Sequence, residues 1–279
     1  MPADDRSLTE SALRRDRWIV IVGLAAMTLL SWAYIVAGAG TGMSLWGMTS
    51  ASLFPHRVAE VPMDSISMQP GAWTPGYGIV MLLMWWIMMI AMMTPSAAPM
   101  ILLYGWVTRH AQAGGHLQQG AVPTAAFAGG YLLAWLGFSL VATLLMWALE
   151  GAVFISAMTM SSTNAWLSAA ILIFAGLYEL SPLKHACLQR CRNPADFLSR
   201  HWRPGPSGAV RMGLEHGLFC VGCCWVLMAL LFVGGIMNVL WIAILALFVT
   251  LEKVSPHGPR FAWFGGIVLL AWGATTLVV

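Results

Sequence analysis

Charge is what this sequence most lacks. Asp, Glu, Lys and Arg supply only 9% of its 279 residues, against about 25% in an ordinary soluble domain. So sparse a polar complement excludes a soluble globular chain, and a hydrophobic fraction of 59% points instead to lipid as the solvent. No internal repeat is visible, and no polar stretch is long enough to form a separate soluble domain. The first apolar run has no small-residue cleavage site after a short core and continues past signal-peptide length, which makes it a retained span. A basic patch is absent too. The formal charge of +3 is explained by membrane topology, and nucleic acid is not expected as a partner.

What is present is a series of apolar runs, each near the roughly 20 residues that cross a bilayer. They occupy 18–38, 77–104, 124–149, 164–181, 213–234, 237–252 and 260–278. These predict an all-α polytopic transmembrane helix bundle of about seven spans, with 1–279 forming a single transmembrane domain. Lys and Arg gather on the cytoplasmic side of bacterial-type membrane proteins. With the N-terminus cytoplasmic, every one of the 14 basic residues falls inside except Arg57. The expectation is a multi-pass protein of the bacterial inner membrane, with the bilayer itself as a partner.

Residues 39–76 read as an outer loop carrying Met43, Met48, Met63, Met68 and His56, without helix or strand periodicity. The second span holds "MLLMWWIMMIAMM", residues 81–93. At about 100° per residue, Met81, Met84, Met88 and Met92 fall within an arc of about 80°, a thioether stripe whose plain alternative is packing. Pro95 and Pro99 then predict a kink or break. Residues 182–212 read as an inner, cysteine-containing loop. Ser181 and Pro182 resemble an N-cap and first-turn pair, so a short helix is expected from there to about Asn193, placing Cys187 and Cys191 on one face.

All five cysteines lie between 187 and 224. On the fifth span, Met212, His216, Cys220 and Cys223 share an arc of about 80°, with Cys224 at its edge. The topology puts this set at the same end of the molecule as His185, Cys187 and Cys191. Thiolates and thioethers select Cu(I), whereas Cys/His sets also suit zinc, and the methionines favour copper. The candidate ligands are Cys187, Cys191, His216, Cys220, Cys223, Cys224 and His185, with Met88 and Met92 as weaker ones. His110, His116, His201 and His257 read as solvated loop residues, and each cysteine taken singly reads equally well as a small buried hydrophobe. Glu179, Glu215 and Glu252 fall near inner span ends, where a carboxylate either snorkels or handles cations.

The pieces "AMMTPSAAPM", "YELSPLKHACLQRCR", "GLEHGLFCVGCCW", "LMALLF", "MNVLW" and "EK", spread over residues 77–253, resemble a bacterial family of uncharacterised integral membrane proteins described as predicted metal-binding. The resemblance implies metal binding within a membrane. The expected function is therefore transport or delivery of a soft metal ion, Cu(I) above zinc, to a metallochaperone or metalloenzyme recipient, rather than catalysis. One alternative is a thiol–disulfide oxidoreductase working with a quinone, because Cys220 and Cys223 have thioredoxin-like spacing. Against it, both cysteine pairs map to the reducing side, and an apolar helix does not favour a reactive thiolate. A structural zinc site is the third reading.

Overall fold

The computed structural model of the protein describes residues 3–39, 49, 73–113, 124–152, 154–155 and 160–278, with residues 3–16 described by backbone alone. Most of the outer loop expected over 39–76, with its methionines and His56, lies outside the described residues, as does His116. Among the described residues the structure is helical, and the one antiparallel bridge, Ile155 to Ser162, is isolated. The helices are α1 (Ala3–Val36), α2 (Pro75–Ala113), α3 (Thr124–Gly151), α4 (Ala165–Glu179) and α5 (Pro182–Arg192). They continue as α6 (Pro194–His201), α7 (Gly205–Ala229), the single turn α8 (Leu231–Gly234), α9 (Val239–Val254) and α10 (Gly258–Val278).

Among the described residues, five segments are long and apolar enough to cross a membrane: Arg17–Val36, Pro75–Gln112, Thr124–Gly151, Gly205–Gly234 and Gly258–Val278. The other two expected spans correspond to α4 and α9, of 15 and 16 residues. At 1.5 Å per residue they reach only about 22–24 Å, short of a hydrocarbon core of about 30 Å. Large apolar side chains point outward, with Trp18, Leu30, Val141, Trp166, Leu247 and Phe264 each more than half exposed. Ser139, Ser168, Glu179, Lys184, His216 and Glu252 are buried. That inversion is unlike a water-soluble fold, where exposed apolar patches are small and charges stay outside.

Of the kink or break expected in the second span, the break is absent. α2 runs through Pro95 and Pro99 as one helix of 39 residues. Each proline removes one backbone donor, but ending a helix in apolar surroundings would leave many more groups unpaired, so the helix persists. The methionine stripe also proves wider than one face. Met81, Met84, Met88, Met89, Met92 and Met93 are all 1% exposed or less, because α1, α3 and α9 pack around α2.

The expected helix start at Pro182 is present. Ser181 caps α5, its Oγ accepting from the Lys184 amide at 3.2 Å, and the chain bends by 62° between α4 and α5. The remainder of 182–212 is less loop-like than its Arg, Pro and Gly content suggests: α6 follows at Pro194, and α7 starts at Gly205, ahead of the expected 213.

The most extensive helix pair is α3 with α7, followed by α4 with α10. Small residues set the first of these. A Cβ placed on Gly130 would stand 2.0 Å from the Val210 carbonyl oxygen, and one on Gly213 2.0 Å from that of Phe127. The backbones are therefore in direct contact, as small-residue interfaces permit between membrane helices. α5 lies against α7, and α9 against α2. The face of α7 that carries the cysteines is thus enclosed by α2, α3, α5 and α9.

Candidate metal centre

α7 holds three thiols in one and a half turns. Cys220, Cys223 and Cys224 are each 2% exposed or less. The Cys223 and Cys224 thiols donate back to the Cys220 carbonyl at 3.1 and 2.9 Å, which turns both sulfurs toward the same side as Cys220. α5 adds a fourth: Cys191 Sγ is 3.9 Å from Cys223 Sγ. α2 contributes a thioether, with Met93 Sδ 3.9 Å from Cys224 Sγ. All five cysteines are free thiols.

α3 and α9 complete the enclosure with polar groups. Tyr131 donates its hydroxyl to the Met93 carbonyl at 3.3 Å and lies 3.0 Å from Cys220 Sγ. Lys253 directs its ammonium at the sulfurs, with Nζ 2.9 Å from Cys220 Sγ, 3.6 Å from Cys224 Sγ and 3.9 Å from Met93 Sδ. The sulfur cluster is therefore closed by five helices and by one buried cation.

A second buried charge group stands beside it. Lys184, wholly buried, donates to Glu252 Oε1 at 2.8 Å and Oε2 at 2.9 Å, and to Glu179 Oε2. Both carboxylates thus converge on Lys184, although Glu252 is the chain neighbour of Lys253. Among the described residues no carboxylate pairs with Lys253. Glu215, expected in the same company, instead meets Arg203 and Arg211 at 3.3 Å near the surface.

The remaining candidates are spread around this centre. Cys187 is half-buried one turn before Cys191, its Sγ 3.2 Å from where a Cβ on Gly222 would lie. His216 is buried one turn before Cys220, among the rings of Phe127, Tyr131 and Phe197, and its Nδ1 has no hydrogen-bond partner. His185 lines a separate cavity of about 310 Å³ with Leu188, Gln189, Arg192, Asn193 and Pro259. Met88 and Met92 are buried in the core one turn apart, and it is the next residue, Met93, that meets the cysteines.

Met93, Tyr131 and Lys253 escaped the sequence reading. Met93 lies about 100° from Met92 on the helix, off the stripe. Lys253 and Lys184 were counted among the inner surface charges, yet both are buried. The adjacent Glu252 and Lys253 at the end of an apolar run were the one available sign, since such charges within spans commonly pair inside a bundle.

Among the described residues no three or more His, Cys, Asp or Glu side chains are gathered closely enough to form a ready-made metal cage. What the centre offers is soft donors in pairs, in a dry setting with a fixed positive charge. Sulfur donors of that kind suit monovalent copper, which is satisfied by few ligands, better than ions demanding a full polar shell.

Comparison with known proteins agrees with this donor chemistry. Residues 82–276 match the model of the PpoB2 family, described as "Copper chaperone". Neither the curated proteins nor the solved structures return a match. The matched region includes every sulfur, the tyrosine and both buried lysines of the centre, and by that match the chain belongs to the copper chaperone family.

Proposed function

We propose that this protein is a multi-pass inner-membrane copper carrier that receives Cu(I) as cargo on Cys191, Cys220, Cys223 and Cys224, assisted by Met93, and hands it to a recipient protein. The observation that carries the reading is the meeting of half-buried Cys191 on α5 with buried Cys223 on α7, 3.9 Å apart, inside the region matched to the copper chaperone family. Two thiols from separate helices can take an ion between them and yield it stepwise. Cys187, one turn along α5, is the next station, and the thioethers of Met88, Met89 and Met92 extend from Met93 as weaker ones. Weak successive sites are what movement of an ion requires.

In the proposed topology α4 and α9 complete seven spans, with the N-terminus cytoplasmic. Arg17 at the start of the first span and Arg109 near the end of α2 line one cavity, which supports placing them at the same membrane face. Trp202, just before α7, packs on Tyr104 of α2, bringing the arginine-rich α5–α6 region to that end as well.

The test is metal analysis of protein purified under reducing conditions, together with titration of its thiols. The expected result is copper as Cu(I), lost when Cys220 and Cys223 are both changed to Ser and retained in variants of His110 or His201. Full copper retention by the double variant would remove the cargo from this centre. The closeness of Cys191 and Cys223 also supports a second reading, reversible disulfide chemistry. A protein isolated without metal and with these two thiols oxidised would favour it.

A further inference from the structure

The cation at the centre of the sulfur cluster is unusual because its contacts are sulfurs. Lys253 is 8% exposed, and its ammonium touches Cys220, Cys224 and Met93. A buried ammonium is costly unless an anion accompanies it. The two carboxylates that could serve are held by Lys184. What the ammonium faces is therefore sulfur, and the anions nearest to it are the thiolates that form when an ion displaces the thiol protons.

We propose that Lys253 is the counter-ion of the copper site and makes the centre selective for monovalent soft cations over divalent ones. This rests on the reading of the centre as a copper site. When an ion binds to two cysteines, two S–H bonds ionise, two sulfur–metal bonds form and two protons leave to water. A monovalent ion between two thiolates carries one negative charge, and the Lys253 ammonium brings the whole to neutral. A divalent ion on the same two thiolates is already neutral, so Lys253 leaves one positive charge buried without a partner. A divalent ion would reach neutrality only with three thiolates. The described residues hold no group of three suitable for a metal, and the Lys253 ammonium already stands 2.9 Å from Cys220 Sγ and 3.6 Å from Cys224 Sγ. Charge and geometry thus favour Cu(I) and its congener Ag(I) over Zn(II) and Cd(II).

The experiment compares the full-length protein with K253M and K253R, titrating each with Ag(I) and separately with Cd(II) against a chelator and reading sulfur-to-metal absorbance. K253M is expected to weaken Ag(I) by about 100-fold or more, the usual scale for removing one member of a buried charge pair. Its Cd(II) affinity should hold or rise, and K253R should restore the preference for Ag(I). A purely structural lysine would instead move both ions together. Unchanged Ag(I) affinity in K253M, equal losses for both ions, or a K253R protein without the Ag(I) preference would each overturn the proposal. If K253M does not fold, K253R alone decides by that last criterion. A wild-type protein that binds Cd(II) but neither Ag(I) nor Cu(I) would overturn the copper reading as well, whereas the variant outcomes bear on Lys253 alone.

Discussion

Cys191 and Cys223 stand with their sulfurs 3.9 Å apart although 32 positions separate them in the chain. A small rotation of either side chain brings them to bonding distance, since a disulfide needs about 2.0 Å between sulfurs. Mild oxidation of metal-free protein should therefore join these two residues before any other pair, while bound Cu(I) should protect them. Peptide mapping after oxidation, with and without copper, checks this; a pairing dominated by Cys220 with Cys223 would contradict the geometry.

The Lys184 cluster gives an asymmetric expectation. Changing Lys184 to Met leaves two buried carboxylates facing each other and should cost about 3–5 kcal/mol, the range for orphaning a buried charge. Changing Glu179 to Gln leaves Lys184 paired with Glu252 and should cost far less. Thermal unfolding in a single detergent, comparing the two variants, reads the difference, and equal losses would show that the carboxylates do not depend on Lys184.

Packing between α3 and α7 should tolerate almost no added volume. Gly213→Ala puts a methyl group against the Phe127 carbonyl and is expected to lower stability by about 1–3 kcal/mol as the helices are forced apart. The same change at Gly129, where nothing lies within 4 Å, should be neutral or slightly stabilising, because alanine is the better helix former. Melting curves for the pair, at matched protein and detergent, separate a contact effect from a general glycine effect.

The thioethers distinguish movement of copper from storage. Met84→Leu, Met88→Leu and Met92→Leu together nearly conserve volume, so stability should change little. Copper flux in cells at equal protein level should fall, with the thiol-bound copper retained. Met93→Leu, by contrast, should weaken retained copper, because its sulfur touches Cys224. Unaltered flux in the triple variant would leave the stripe as packing.

Much of the helical pattern could be read in advance because it depends on local rules. The Ser181 cap and the helix after Pro182 follow from backbone preferences of two neighbouring residues, and the shared face of Cys220 and Cys223 follows from helical pitch. Periodicity along a single helix, however, says nothing about the rotation of its neighbours. Met93 was missed for that reason, as it owes its role to where α7 turns Cys224. Lys253 illustrates a different ambiguity: a lysine closing an apolar run looks alike in sequence whether its stem reaches out to the interface or its ammonium turns into the bundle. Pro95 and Pro99 show a third ambiguity: the same two residues are compatible with a break or with a helix that runs on through them, and here it runs on.

Direct backbone contact at Gly130 and Gly213 leaves no layer of side chains over which α3 and α7 could shear. Tyr131 and Cys220, carried by those two helices, are consequently clamped in register, and loading an ion cannot be accommodated by sliding one past the other. Cys191 is held differently, on a helix turned by 62° from α4 and fixed by side chains, Lys184 to Glu252 and Arg192 to the Ser255 carbonyl. The centre thus divides into thiols seated by backbone contact and a fourth sulfur seated by salt-bridged and hydrogen-bonded side chains.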